Sequence, residues 1–226
     1  MQITAYPCPL PGGAAGSEFA LTFDRDRRHR MLVLPALFDE ANRMRRFTLE
    51  VMRRLDGAGI DSFLPDLPGS NESLRPLAEV EAEDWAMAAE AAAAEFGASH
   101  VLAIRGGALF VPKALPGWSY GAVKGASLLR TMLRARVLAS REAGREENLE
   151  GLIAAGLGQG MELAGYRLSA EMFARLHELA PNEDIRLTAI DQELVGGSPL
   201  WLRAEPDEDA DQADALAAVI AMGLKQ

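Results

Sequence analysis

The 226-residue sequence has one cysteine, Cys8, so it can form no intrachain disulfide and has no cysteine cluster for a structural zinc site. That scarcity reads as a cytoplasmic chain whose single thiol is inert. A basic excess is also missing. The net charge is −10, whereas a phosphate backbone or an anionic membrane calls for a basic field, so no nucleic-acid partner is expected. No stretch reaches the about 18 apolar residues of a membrane span, and MQITAYPCPLPGG at the start lacks a basic segment followed by an apolar one. The expectation is a soluble, unprocessed protein. No repeat of fixed period occurs. The acidic run Glu205–Asp214 lacks the glycine turn and ligand spacing of a calcium loop and reads as a solvated face, so no metal is expected. Gly156-Leu-Gly158-Gln-Gly160 follows no clear strand and lacks the remaining spacing of a dinucleotide fingerprint, so no cofactor is expected.

What is present is ordinary globular composition, 49% hydrophobic and 25% charged, in a chain about one and a half domains long. Short aliphatic runs alternate with helical patterns, which predicts an α/β sheet. Strands are predicted at Glu18–Phe23, Arg30–Pro35, Ile60–Leu64, His100–Ile104, Gly117–Val123, Ile185–Ile190 and Pro199–Arg203. Helices are predicted at Asn42–Leu55, Trp85–Phe96, Ala126–Arg141, Ser169–Leu179 with Ser169 as cap, and Gln212–Leu224, with a weakly helical stretch over Asn148–Leu163. Pro65–Ser73 is a turn-rich loop. Together these give a single domain over 1–226: a mostly parallel sheet flanked by helices, with a helical insertion at about 124–182.

His100–Ile104 runs straight into Arg105-Gly106-Gly107-Ala108. A strand, a sharp turn with small neighbours and a helix make a nucleophile elbow, which forces its central side chain out over the carboxyl end of the sheet. Ala103 and Gly107 supply the small positions, and the central residue is arginine. A guanidinium stays protonated and only donates hydrogen bonds, so it cannot attack an acyl group. A general base is missing as well, because no histidine follows His177. His29, His100 and His177 read as loop, strand-start and helix residues, and no residue is assigned a catalytic role. Proline at 112 and 116 keeps any helix behind the elbow short.

The segment from Met31 to Ser73 resembles the front half of an α/β-hydrolase. More narrowly, the chain resembles the exosortase A system-associated hydrolase 2 family through Pro35, Phe38, Glu40, Asn42, Arg45, Arg46, Arg105 and Gly107, the stretches Leu129–Arg136 and Ala164–Ser169, and Pro199–Asp207. The resemblance implies an α/β-hydrolase-like fold and a role in bacterial exopolysaccharide and exosortase systems, and it establishes no reaction. If the fold holds, the loop carrying Phe38, Glu40, Asn42 and Arg45 lies beside Arg105 and Gly106, and Arg105 pairs with Glu40 and with Asn42. Two roles stay open for that cluster. It clamps the loop to the sheet, or Arg105 and Arg45 bind a small anionic ligand. Arg130, Arg134, Arg136 and Arg141 offer a basic face to a protein partner, or are a solvated face. Tyr166 and Trp201 read as packing residues. A working esterase would have to recruit Ser70, Ser73 or Ser119 instead, and a purely structural interaction protein is the third possibility. The oligomeric state is not legible.

Overall fold

The computed structural model describes residues 1–9, 15–182 and 187–225. Its centre is a seven-stranded sheet in the order β1-β2-β4-β3-β5-β6-β9. The strands are β1 Gln2–Pro9, β2 Ala15–Phe23, β3 Arg30–Leu34, β4 Asp61–Pro65, β5 His100–Ile104, β6 Gly117–Tyr120 and β9 Leu187–Ile190. Only β2 runs antiparallel to its neighbours, β1 and β4, and the pairs from β4 through β9 are parallel. A second, two-stranded hairpin joins β7 Met161–Leu163 to β8 Tyr166–Leu168.

Strand periodicity sends alternate residues to opposite faces. Leu32, Leu34, Val101 and Ala103 face one core with Trp85, Ala88, Leu129 and Phe173. Met31, Val33, Leu102 and Ile104 face the other with Phe47, Val51, Leu216 and Ile220. The second layer belongs to α1 (Asp39–Gly57) and α7 (Ala210–Gly223), and the first to α2 (Ala82–Glu95), α3 (Gly125–Glu142) and α5 (Ala170–Glu178). Between α3 and α5 lie α4 (Leu149–Gln159) and the β7–β8 hairpin, and α6 (Gln192–Val195) follows β9. Each large aliphatic side chain buried in these layers stabilises the fold by roughly 1.5–3 kcal/mol.

Several expected elements differ. Pro199–Arg203 is not a strand: Leu200–Leu202 form a 3-10 turn that buries Leu200 and Trp201 in the α1/α7 layer, and Pro199 has no N–H to give a ladder. The strand expected to reach Val123 stops at Tyr120, because Gly121 takes a left-handed conformation (φ 57°). Ile185 and Arg186 of the strand expected over Ile185–Ile190 lie outside the described residues, and the strand is described over Leu187–Ile190. Three strands, β1, β7 and β8, were not foreseen. β1 carries Pro7 and Pro9, which a sheet tolerates only at an edge, and the β7–β8 hairpin turns on Ala164 and Gly165, both at positive φ.

Candidate functional site

β5 ends at Ile104 and Arg105 follows in the left-handed region, at φ 53°. A branched or long side chain in that region is strained, at a cost of order 1–3 kcal/mol. The next residues form a 3-10 turn, Arg105–Leu109, in place of a full helix. Two glycines make the turn possible. A Cβ on Gly107 would stand 2.5 Å from the Leu34 carbonyl oxygen and 2.7 Å from that of Pro35, and one on Gly106 would stand 2.8 Å from Leu37 and Leu128. The turn therefore lies hard against the loop that leaves β3.

That loop ends at Phe38, which precedes α1 and is also left-handed (φ 56°, ψ −133°). Glu40, on the first turn of α1, is buried and meets Arg105 side by side. Arg105 Nε donates to Glu40 Oε2 at 3.0 Å and Nη2 donates to Oε1 at 2.8 Å. Nη1 donates to the Gly121 carbonyl at 2.7 Å, and the guanidinium carbon sits 4.3 Å from the centre of the Trp201 ring. One side chain thus joins the carboxyl-end turns of β5 and β6 to the start of α1. Its own side chain is 13% exposed and that of Glu40 is 6% exposed, so the pair is a desolvated, two-pronged ion pair.

Asn42 is not part of this cluster. It is on α1, and its Nδ2 donates to Tyr166 Oη of the β7–β8 hairpin at 3.3 Å. Arg45 turns the other way, with Nη1 3.6 Å from Asp66 Oδ1. Asp66, just past β4, accepts from Asn71 Nδ2 at 3.0 Å, and burial raises its carboxyl above the usual range. Phe38 and Asn42 line a cavity of about 240 Å³ between the β3 and β4 exits, together with Ser70, Asn71, Trp85 and Tyr166. Phe38 packs edge-on to Tyr166 (ring centres 5.3 Å apart) and against Trp85 (5.6 Å). Burial raises the Tyr166 phenol above its ordinary value. Arg105 and Glu40 are not in the wall of this cavity.

The three serines that could replace the elbow residue are engaged or buried. Ser70 Oγ donates to the Leu67 carbonyl at 2.6 Å, and Ser73 Oγ accepts from the Gly69 and Arg75 amides. Ser119 is buried inside β6, paired in register with Ala103. The imidazoles are elsewhere. His29 and His100 meet at the amino ends of β3 and β5, their rings 5.9 Å apart, and His177 is on α5. Among the described residues the serine that touches a histidine is Ser99, whose Oγ is 2.9 Å from His100 Nδ1, at the end of β5 opposite Arg105. No group of three or more His, Cys, Asp or Glu able to hold a metal occurs among the described residues, and no described helix is long and apolar enough to cross a membrane.

Sequence reasoning missed Trp85, Tyr166 and Trp201 as neighbours of the site. Trp201 lies 96 residues beyond Arg105, and only the packing of the Leu200–Leu202 turn brings its ring over the guanidinium.

No family model matches the chain, and no curated protein matches it. Solved structures do. The chain is similar over 100% of its length to the alpha/beta hydrolase domain-containing protein 10 from mouse, at 9% identity, covering 99% of that chain with a TM-score of 0.56. It is likewise similar to the esterase domain of a Rhodothermus marinus protein (11% identity, 100% and 98% coverage, TM-score 0.55). A third similar structure is the bottromycin epimerase BotH in complex with bottromycin A2 (13% identity, 100% and 99% coverage, TM-score 0.51). These likenesses give the fold: a hydrolase-like α/β chain with a mostly parallel sheet between helices.

Proposed function

We propose that this chain is a non-hydrolytic α/β-hydrolase-fold protein that acts by binding, with its contact surface at the carboxyl end of the sheet beside the elbow. The observation that carries this reading is Arg105 itself. It occupies the left-handed centre of the turn after β5, and three of its N–H groups are given to Glu40 and the Gly121 carbonyl. A protonated guanidinium in that place can neither attack a carbonyl nor be relieved of its proton, and His29 and His100 lie at the opposite, amino ends of the strands. With Arg105 engaged by a carboxylate, Arg105, Gly106 and Glu40 hold the frame and Arg45 stands by Asp66, while Phe38 and Asn42 face the cavity. A small ligand there, or a partner seated over it, is the natural occupant. The fold does not fix the chemistry, since an epimerase shares it with esterases. The resemblance carried by Phe38, Glu40, Arg105 and the stretches of the insertion supports placing the chain in bacterial exopolysaccharide and exosortase systems.

The test is direct. Wild-type protein and the Arg105→Ser variant are incubated with a fluorophosphonate probe and with short-chain p-nitrophenyl esters. Neither is expected to be labelled or to release p-nitrophenol above the uncatalysed rate, because the described partners of residue 105 are Glu40, Gly121 and Trp201, with no histidine among them. A serine of the wild-type chain that takes the probe covalently would overturn this reading in favour of an esterase.

A further inference from the structure

The cavity beside the elbow has a composition that selects among ligands. Its described wall holds no charged side chain: Phe38, Trp85 and Tyr166 give aromatic surface, and Asn42, Ser70 and Asn71 give the polar groups. Its volume of about 240 Å³ is half as large again as the roughly 150 Å³ of an apolar cavity that takes up benzene, so it suits one six-membered ring with a small substituent.

The hydrogen-bonding capacity left in that wall is neutral, with both donors and acceptors: Tyr166 accepts from Asn42 and keeps its own O–H. Asn71 gives one amide N–H to the Asp66 carboxylate, which leaves its second N–H and its carbonyl oxygen. Ser70 gives its hydroxyl hydrogen to the Leu67 carbonyl, which leaves lone pairs. Asn42 gives one N–H to Tyr166, which again leaves one N–H and a carbonyl. The Trp85 indole N–H is committed to the Pro68 carbonyl at 2.8 Å. A carboxylate or phosphate placed here would find neutral donors but no cation in the wall, and an uncompensated charge is costly in a desolvated site. A hydroxyl group would find acceptors.

We infer that this cavity binds an uncharged, hydroxyl-bearing aromatic ring, a phenol, and discriminates against anions. The inference rests on the binding reading above and narrows it to a ligand class. Phe38 supports it from the backbone side: a bulky residue held at φ 56° is kept there by its surroundings, and strain of that kind concentrates at ligand sites. Its ring is thereby fixed against Trp85 and Tyr166 as one wall of the cavity.

Three probes of similar size separate the possibilities at neutral pH: 4-hydroxyacetophenone, 4-hydroxybenzoate and methyl glucopyranoside. Binding is read by calorimetry and by the indole N–H resonances. Of the three tryptophans only Trp85 lines the cavity, so its resonance is the local reporter, with Trp118 and Trp201 as controls. The expected result is that 4-hydroxyacetophenone binds and shifts the Trp85 signal selectively, with 4-hydroxybenzoate weaker by about tenfold or more. Ala41→Leu, which puts extra carbons into the cavity from α1, should abolish that binding with little change in melting temperature. Equal or tighter binding of the benzoate, or binding of the glycoside in place of the phenol, would overturn the ligand class and leave the binding reading standing. If no probe moves the Trp85 resonance at millimolar concentration, both fail.

Discussion

Removing the Arg105 guanidinium would strand Glu40, whose side chain is 6% exposed, and would take the donor from the Gly121 carbonyl. Breaking one side of a buried ion pair typically costs about 3–5 kcal/mol because the remaining charge is left uncompensated. Arg105→Met is therefore expected to lower stability by about that amount in a urea or thermal melt. Adding Glu40→Gln should recover part of the loss, since the two residues share one interaction. A melting temperature unchanged by Arg105→Met would favour the alternative foreseen from sequence, in which the arginine holds an exchangeable anion. The pairing with Glu40 was legible before the fold was known, because the elbow motif and the loop before α1 are both local signals. The absence of Asn42 from the pair was not. One residue's placement around a helix start decides which side chain reaches the elbow and which reaches the β7–β8 hairpin, and here Glu40 takes the first place and Asn42 the second.

The elements around the site are held by backbone geometry more than by side-chain chemistry. Gly107 lets the turn after β5 approach the β3 exit, where any Cβ would lie 2.5 Å from a backbone carbonyl. A carbonyl cannot move aside as a flexible side chain can, so Gly107→Ala should destabilise the fold by roughly 1–3 kcal/mol or more through overpacking. The checks are a denaturant midpoint and a loss of any binding at the neighbouring cavity. Ser169 shows the opposite case, an element end that the sequence states openly. Its Oγ accepts from the Met172 amide at 3.0 Å at the start of α5, as the cap pattern predicts. Ser169→Ala is expected to cost about 1 kcal/mol, measured in the same way. Leu200–Leu202 was misread as a strand because a short apolar run flanked by proline looks alike in either state, and only the face available to Trp201 settles it.

At the scale of the whole molecule, His100, at the amino end of β5, gives stability a pH dependence remote from the site. Burial, and after it the neighbouring His29, lowers the His100 imidazole below its ordinary value. The unfolded chain then binds this proton more readily than the folded one, so stability is full above the ordinary imidazole pKa of about 6.5 and is lost as pH falls through the folded value. Melts at neutral and mildly acidic pH should show that loss, and His100→Phe should flatten it. A steeper slope in that variant would be incompatible with this assignment. By itself the sequence determined the α/β layering, the elbow with arginine at its centre and the lack of a histidine after position 177, because periodicity, small-residue turns and residue type are local properties. Tertiary structure alone decided that the guanidinium is consumed by Glu40, Gly121 and Trp201, and that an uncharged aromatic cavity opens beside it. Those facts depend on segments distant in sequence, those of Glu40, Arg105 and Trp201 among them, meeting at one end of the sheet, and the energy of such meetings lies in packing that no single stretch of chain encodes.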